Sequence, residues 1–262
     1  MTGLVEGKSI IVTGGGRGIG EGIARDLAAE GGRIVVADID LAAAERVAAA
    51  IRKDKGEAIA AQVDVAERKS VQAMIKEAVR AFGRLDVMFN NAGISKAGQF
   101  LEATEADWAR IMGINGLGVL IGMQEAAKQM IAQGGGGKII NTASIAGKVG
   151  EQIATIYCAS KACVISLTQA GAEALGKHNI TVNSFSPGFV KTELWDGLDK
   201  DLIRAGYRDE PNAVEHLAKT KAILGRVSTP DDLVGATTFL ASSRSNYITG
   251  QNLMVDGGVR LI

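Results

Sequence analysis

Two kinds of apolar stretch alternate along the chain. Short runs, most of them rich in β-branched residues, lie at "SIIVT" (9–13), "RIVVAD" (33–38), "AIAAQVD" (58–64), "LDVMFN" (85–90), "KIINTA" (138–143), "ITVNSF" (180–185) and "NLMVD" (252–256). Most are apolar throughout, the pattern of strands covered on both faces. Longer stretches with helical spacing of apolar positions separate most of them, at 18–30, 41–54, 67–82, 104–131, 155–176 and 230–241. Such repetition predicts βαβ units and a parallel sheet of about seven strands. Right-handed crossovers then put helices on both faces, a doubly wound α/β fold. No linker or internal repeat interrupts the pattern, so residues 1–262 read as a single domain. The run "GGGG" (134–137) marks a turn before the fifth strand. Residues 190–226 differ: charged, without strand signal, and holding Trp195, Gly197, Gly206, Tyr207 and Pro211. A helical insertion after the sixth strand sits beyond the carboxyl ends of the strands, where ligands bind in such sheets, so it is placed to be a lid. The alternative is a solvated surface excursion.

Composition narrows the classes of function. Hydrophobic residues make up 47% of the 262, enough for a sizeable core. The formal net charge is zero and no long basic run occurs, which argues against nucleic acid as a partner. No apolar stretch reaches about 18 residues, so no membrane span is expected. The start, "MTGLVEGKS", lacks the pattern of a signal peptide. Cys158 and Cys163 fall five apart on one predicted helix and point away from each other. Both read as reduced thiols of a cytoplasmic protein, and Cys158 as a buried inert one. His178 and His216 are the two histidines, and no spacing suits a metal.

The first strand runs into "TGGGRGIG" (13–20), with glycines at Gly14, Gly18 and Gly20. Between a strand and a helix, such a loop permits a tight turn. It lets backbone approach a pyrophosphate and presents a helix N-terminus to negative charge. Asp38 ends the second strand, where a carboxylate accepts hydrogen bonds from the adenosine ribose and repels a 2′-phosphate. Arg17 pulls the other way, as a cation that suits that phosphate. Capping of the next helix is the other use of Asp38, but Asp40 serves that purpose better. In "YCASK" (157–161), Tyr157 and Lys161 are one helical turn apart. That spacing is common on exposed helix faces, and it is also what an ammonium needs to lower the pKa of a phenol.

"TGGGRGIG", Asp38, "DV" (64–65), "NNAG" (90–93), Asn115, Ser144, "YCASK" and "PG" (187–188), in this order, resemble the short-chain dehydrogenase/reductase family over essentially the whole chain. The resemblance implies a Rossmann-type fold and NAD(H)-linked hydride transfer with a small secondary alcohol or ketone. It implies Tyr157 as general acid/base, with Lys161 lowering its pKa by roughly two to three units and binding the nicotinamide ribose. Ser144 would bond the substrate oxygen, and Asn115 would hold a water that relays protons from Lys161. Gly14, Arg17, Gly18, Ile19 and Gly20 would hold the phosphates. Asp64 and Val65 would bracket the adenine, with Asn90 or Asn91, Ala92 and Gly93 along the adenosine side. Pro187, Gly188, Val190 and Thr192 would face the nicotinamide.

Within the family, "GKIINTAS", "YCASKACVISLTQ" and "VKTELWDGLD" look closest to polyol dehydrogenases and acetoin reductases. Ile145 stands where that subgroup often has glutamine, so one polar substrate handle is missing. Glu151 is retained and would accept hydrogen bonds from substrate hydroxyls; the alternative is a solvated loop residue. Trp195, Leu194 and Leu198 would close an apolar part of the pocket. Two other readings are a 3-oxoacyl-thioester reductase, which conflicts with Asp38, and a non-catalytic dinucleotide-binding regulator, which has no need of Asn115, Ser144, Tyr157 and Lys161 together. The resemblance also implies a homotetramer built through the long helices and the C-terminal strand.

Overall fold

A computed structural model describes residues 3–206 and 213–261, without the side chains of 194, 196, 213 and 214. Tyr207, Pro211 and the Leu194 side chain therefore lie outside the described residues. The strands are β1 (Ser9–Thr13), β2 (Arg33–Asp38), β3 (Glu57–Gln62), β4 (Val87–Asn90), β5 (Gly137–Thr142), β6 (Ile180–Pro187) and β7 (Asn252–Val255). The helices are α1 (Gly18–Ala29), α2 (Leu41–Lys53), α3 (Arg68–Phe82), α4 (Glu105–Met112), α5 (Gly118–Gln133), α6 (Thr155–Leu175), α7 (Glu193–Arg204), α8 (Ala213–Lys221) and α9 (Asp231–Ala241).

All seven strands pair in parallel in the order β3-β2-β1-β4-β5-β6-β7. The inner strands β1 and β4 are buried at every position, which is why they read as unbroken apolar runs, whereas the edge strand β3 exposes both ends. One face of the sheet packs on α3, α5 and α6 through Met74, Ile75, Val119, Ile121 and Val164. The other packs on α1, α2 and α9 through Ile23, Leu27, Val47, Ile51 and Leu233. Asp40 caps α2, its carboxylate accepting from the backbone N–H of Ala42 and Ala43, which leaves Asp38 for other work. Gly134, Gly135 and Gly136 all take positive φ in the turn before β5.

Three expectations change. The apolar stretch 104–131 is not one regular helix: a π-helical turn, Gly113–Leu117, joins α4 to α5. The region Gln152–His178 is long and apolar enough to cross a membrane by length and composition, contrary to the reading of the sequence. Small residues and threonines dilute its apolar signal, and α6 within it packs against the sheet through Val164 and Ala172. The segment after β6 forms α7 and α8, as a helical insertion should, but it returns to the sheet through a bridge between Val190 and Ser228.

Candidate active site

The carboxyl ends of β1, β2, β4, β5 and β6 bring the singled-out residues to one edge of the sheet. Gly14 has φ +62°, and a Cβ there would lie 2.9 Å from Ala92 Cα. A Cβ on Gly20 would lie 2.0 Å from the Gly14 carbonyl oxygen, so the turn closes only without side chains. The N-terminus of α1 has no side-chain cap, which leaves its N–H groups free for an anion. This cradle fits the phosphates of a dinucleotide. Asp38 is buried, with Oδ2 accepting from Gly16 N at 3.0 Å and Oδ1 from Asp40 N at 3.1 Å. Arg17 turns away from Asp38 toward Glu193, at 3.4 Å, an exposed pair between the loop and the first residue of α7. Thr192 abuts the loop as well, 3.2 Å from where a Gly18 Cβ would stand. Ile19 packs on the core beneath it. Arg46 was not foreseen: its Nη2 donates to Gly16 O at 2.7 Å and to Glu21 Oε2 at 2.7 Å, bracing the loop from α2.

Asn91 and Asn90 divide the work of "NNAG". Asn91 donates from its side chain to Thr13 O at 3.0 Å and accepts from Thr142 Oγ1 at 3.1 Å, stitching β4 to the loop and to β5. Thr13 Oγ1 accepts from Asn91 N and Ala92 N. Asn90 faces inward and donates to Asn141 Oδ1 at 2.8 Å, and Asn141 donates to Thr168 Oγ1 of α6. The expectation that Asn90 lines the adenosine is corrected: it is an internal brace. Asp64 caps the turn after β3 by accepting from Ala66 N, and Val65 packs against Gly118 of α5. Gly188 N donates to Val255 O, and a Cβ on Gly188 would meet Asp256 Cα at 2.8 Å. Pro187 ends β6 beside it.

Ser144, Tyr157 and Lys161 come together past the end of β5. Lys161 is buried and its Nζ donates to Thr142 O at 2.7 Å, 5.7 Å from the centroid of the Tyr157 ring. Burial holds the Lys161 ammonium down at about 8. Burial pushes the Tyr157 phenol up, a hydrogen bond with Ser144 opposes it, and Cys158 adds to the rise. The expected lowering of the phenol by Lys161 is therefore corrected. The ammonium is itself destabilised by the same burial and is turned to a carbonyl. Asn115 is fully buried in the π-helical turn. Its Oδ1 accepts from Ile94 N at 2.9 Å, and its Nδ2 donates to Ile94 O at 2.9 Å and to Ser160 Oγ at 3.0 Å. The side-chain amide is thus committed to protein partners, and a relay through this residue has to use its main-chain carbonyl, since π geometry interrupts the i→i+4 ladder. Gly93 closes the group, 3.3 Å from Asn115 Oδ1 and 3.6 Å from Lys161 Nζ by its would-be Cβ.

On the substrate side, Ile145 is buried behind Ser144. Trp195 meets Phe189 edge to face at 6.4 Å and packs with Leu198, Leu202, Ala97 and Ile153, so α7 docks on the segments after β4 and before α6. A cavity of about 210 Å³ opens beyond this cluster, between Lys96–Ala103, Ile153–Ile156 and Asp201–Ala205, and none of the catalytic candidates lines it. Glu151 accepts from Arg260 Nη2 at 2.6 Å, so one carboxylate oxygen is taken by the C-terminal tail. Nothing in the sequence marked Arg260, since the pair is 109 residues apart.

A glycine-lined cradle at a helix N-terminus, a buried carboxylate at the end of β2 and a Ser–Tyr–Lys group at one sheet edge are the parts of a nicotinamide-dependent oxidoreductase. A family model described as enoyl-(acyl carrier protein) reductase matches residues 14–260. The chain is 38% identical over 252 residues to the (S)-acetoin-forming diacetyl reductase of Staphylococcus epidermidis, covering 96% of this chain and 98% of that protein. It is 41% identical over 251 residues to the galactitol 2-dehydrogenase of Agrobacterium fabrum, covering 96% of each. A crystal structure of a short-chain type dehydrogenase/reductase from Mycobacterium marinum superposes with a TM-score of 0.90 at 35% identity, over 98% of this chain and 97% of that one. The chain belongs to the short-chain dehydrogenase/reductase family and is an oxidoreductase acting on CH–OH groups.

Proposed function

We propose that this enzyme uses NAD(H) and interconverts a small secondary alcohol carrying a neighbouring oxygen, such as a diol, polyol or hydroxy-ketone, with its ketone. Asp38 carries the cofactor choice. It is buried and fastened to the phosphate loop through Gly16 N, so it cannot swing away from a 2′-phosphate. Like charges held at close range in a poorly solvated site repel strongly. Arg17, the loop cation that argues for NADP, points to Glu193. The substrate class is supported by the diacetyl reductase and galactitol dehydrogenase relatives, both of which are named for molecules with adjacent oxygens.

The loop glycines and the N-terminus of α1 would hold the phosphates of a nicotinamide cofactor and Asp38 would accept from its ribose hydroxyls; when bound, that group would supply or accept the hydride. Tyr157, a neutral phenol at rest, gives its proton to the carbonyl oxygen in reduction; in oxidation it passes its own proton to the unprotonated Lys161 amine and takes the one leaving the alcohol. Ser144 donates to the same oxygen and stabilises the charge that develops on it. Lys161 stands behind Tyr157 as the next proton carrier.

Initial rates with NAD and NADP test this on 2,3-butanediol, a sugar alcohol and 2-butanol, and on a 3-oxoacyl thioester in the reverse direction. NAD(H) should be preferred by at least about tenfold in kcat/KM, or roughly 1.4 kcal/mol. Asp38→Ala should narrow that gap. The diol should be oxidised better than 2-butanol, because a site built to bond a hydroxyl rejects the analogue that lacks it. Equal use of NADPH by the wild type, or a preference for the thioester, contradicts the proposal.

A further inference from the structure

The segment between Ser144 and Tyr157 carries both reacting side chains at its ends, yet it is lightly held. It consists of two short 3-10 turns, Ile145–Gly147 and Gln152–Ala154, with Lys148, Val149 and Gly150 exposed between them. Among the described residues, two hydrogen bonds reach it from elements distant in sequence. Gly98 N donates to Ile153 O at 3.0 Å, and Arg260 Nη2 donates to Glu151 Oε1 at 2.6 Å.

The arginine is itself firmly placed. Asp256 accepts from Gly258 N at 3.0 Å with one oxygen and from Arg260 N at 2.8 Å with the other, folding the tail back on itself. Gly257 and Gly258 supply the positive φ angles this needs, 65° and 83°. Asp256 lies against Gly188 at the end of β6, and Gly257 O accepts from Leu224 N just beyond α8. One short tail thus touches the turn after β6, the exit of the helical insertion and the segment that leads into Tyr157. The Arg260 Nε is buried and has no acceptor among the described residues.

We propose that Arg260 is a positioning residue of the active site. Through Glu151 it holds the Ser144–Tyr157 segment in register with the lid and with the turn at Gly188. The acceptor role expected of Glu151 toward substrate is then secondary to its role as the anchor point for the tail. This inference rests on Ser144 and Tyr157 being the reacting pair.

A double-mutant cycle on Arg260→Ala and Glu151→Gln tests it, read as kcat/KM for the preferred alcohol, cofactor affinity by NADH fluorescence, and hydrogen exchange of peptides covering 145–154. Each single variant should lose about tenfold in kcat/KM, and the double variant should be no worse than either single one. NADH affinity should stay within twofold, and Arg260→Lys, which keeps the charge, should recover part of the loss. Exchange of 145–154 should quicken in both single variants, with or without substrate. Additive losses, or unchanged exchange of that segment in Arg260→Ala, overturn the proposal. If Arg260→Ala fails to fold, Glu151→Gln on the part-exposed segment gives the same exchange readout. The exchange measurement stands even if the wild type turns over none of the alcohols, an outcome that would refute the functional reading instead.

Discussion

Tyr157 rests as a neutral phenol because burial disfavours its charge more than the hydrogen bond with Ser144 favours it. Burial raises the phenol and holds Lys161 at about 8. The resting group is therefore ready to protonate a carbonyl, and reduction needs no prior ionisation. Oxidation needs a vacancy for a proton. The first vacancy in the pair opens as pH rises through about 8, on Lys161, which can relay the proton that Tyr157 takes from the alcohol. The observed value belongs to the pair and not to either residue. Alcohol oxidation should accordingly accelerate with pH through this region, while ketone reduction should not require it. The helical spacing in "YCASK" made the pair legible in the sequence. The direction of its shift was not legible, because burial, which sets it, comes from the tertiary fold and not from the local spacing. The same limit applies to Glu151, whose partner Arg260 is remote in sequence, and to Asn90, which differs from Asn91 only in the face it presents.

At the scale of elements, the α3–α5 contact offers a measurable clasp. Glu125 of α5 is buried and accepts from Arg68, from Lys128 at 2.7 Å and from Gln72 at 2.9 Å. Burial pushes its carboxyl up, but the hydrogen bonds from Lys128, Gln72 and Arg68 outweigh it and carry it from 4.5 down to about 2. A carboxyl lowered by folding contributes stability that is fully present above its unfolded value and is lost as pH falls through the folded one. Glu125→Gln should therefore lower stability at neutral pH by about 1–3 kcal/mol. It should also flatten the loss of stability of the wild type between about pH 4.5 and 2. Urea melts at neutral pH and at about pH 3 check both, and an unchanged acid slope would contradict the assignment. The strands were legible because a parallel strand covered on both faces has to be apolar throughout. The π-helical turn at Gly113–Leu117 was not, because one extra residue per turn leaves the apolar pattern of 104–131 almost continuous. What shows it is the backbone, and the consequence is the commitment of Asn115 to Ile94 and Ser160.

At the scale of the whole molecule, more apolar surface is present than one chain covers. Only a third of the most apolar window in Gln152–His178 is buried, and Leu117, Tyr247, Leu253 and Leu261 are exposed. Exposed apolar residues of this kind suit contacts between chains. We propose a homotetramer with 222 symmetry, in which partners cover α5, α6 and the β7 edge. Light scattering at micromolar concentration should report about four times 27.2 kDa, and a monomer would contradict it. In the sequence, assembly was legible through the resemblance to the family.

The central claim is that Tyr157 moves the proton in NAD-linked oxidation of a secondary alcohol with a neighbouring oxygen. The most direct measurement is the pH–rate profile of 2,3-butanediol oxidation by the NAD-loaded enzyme, wild type beside Tyr157→Phe, followed by the absorbance of NADH. The wild type should rise through an apparent pKa near 8. The variant should bind NADH normally yet lose at least about 100-fold in rate at every pH, the usual weight of a positioned acid or base. A variant that turns over near the wild-type rate, or a wild type that forms no NADH from the diol, would contradict the account.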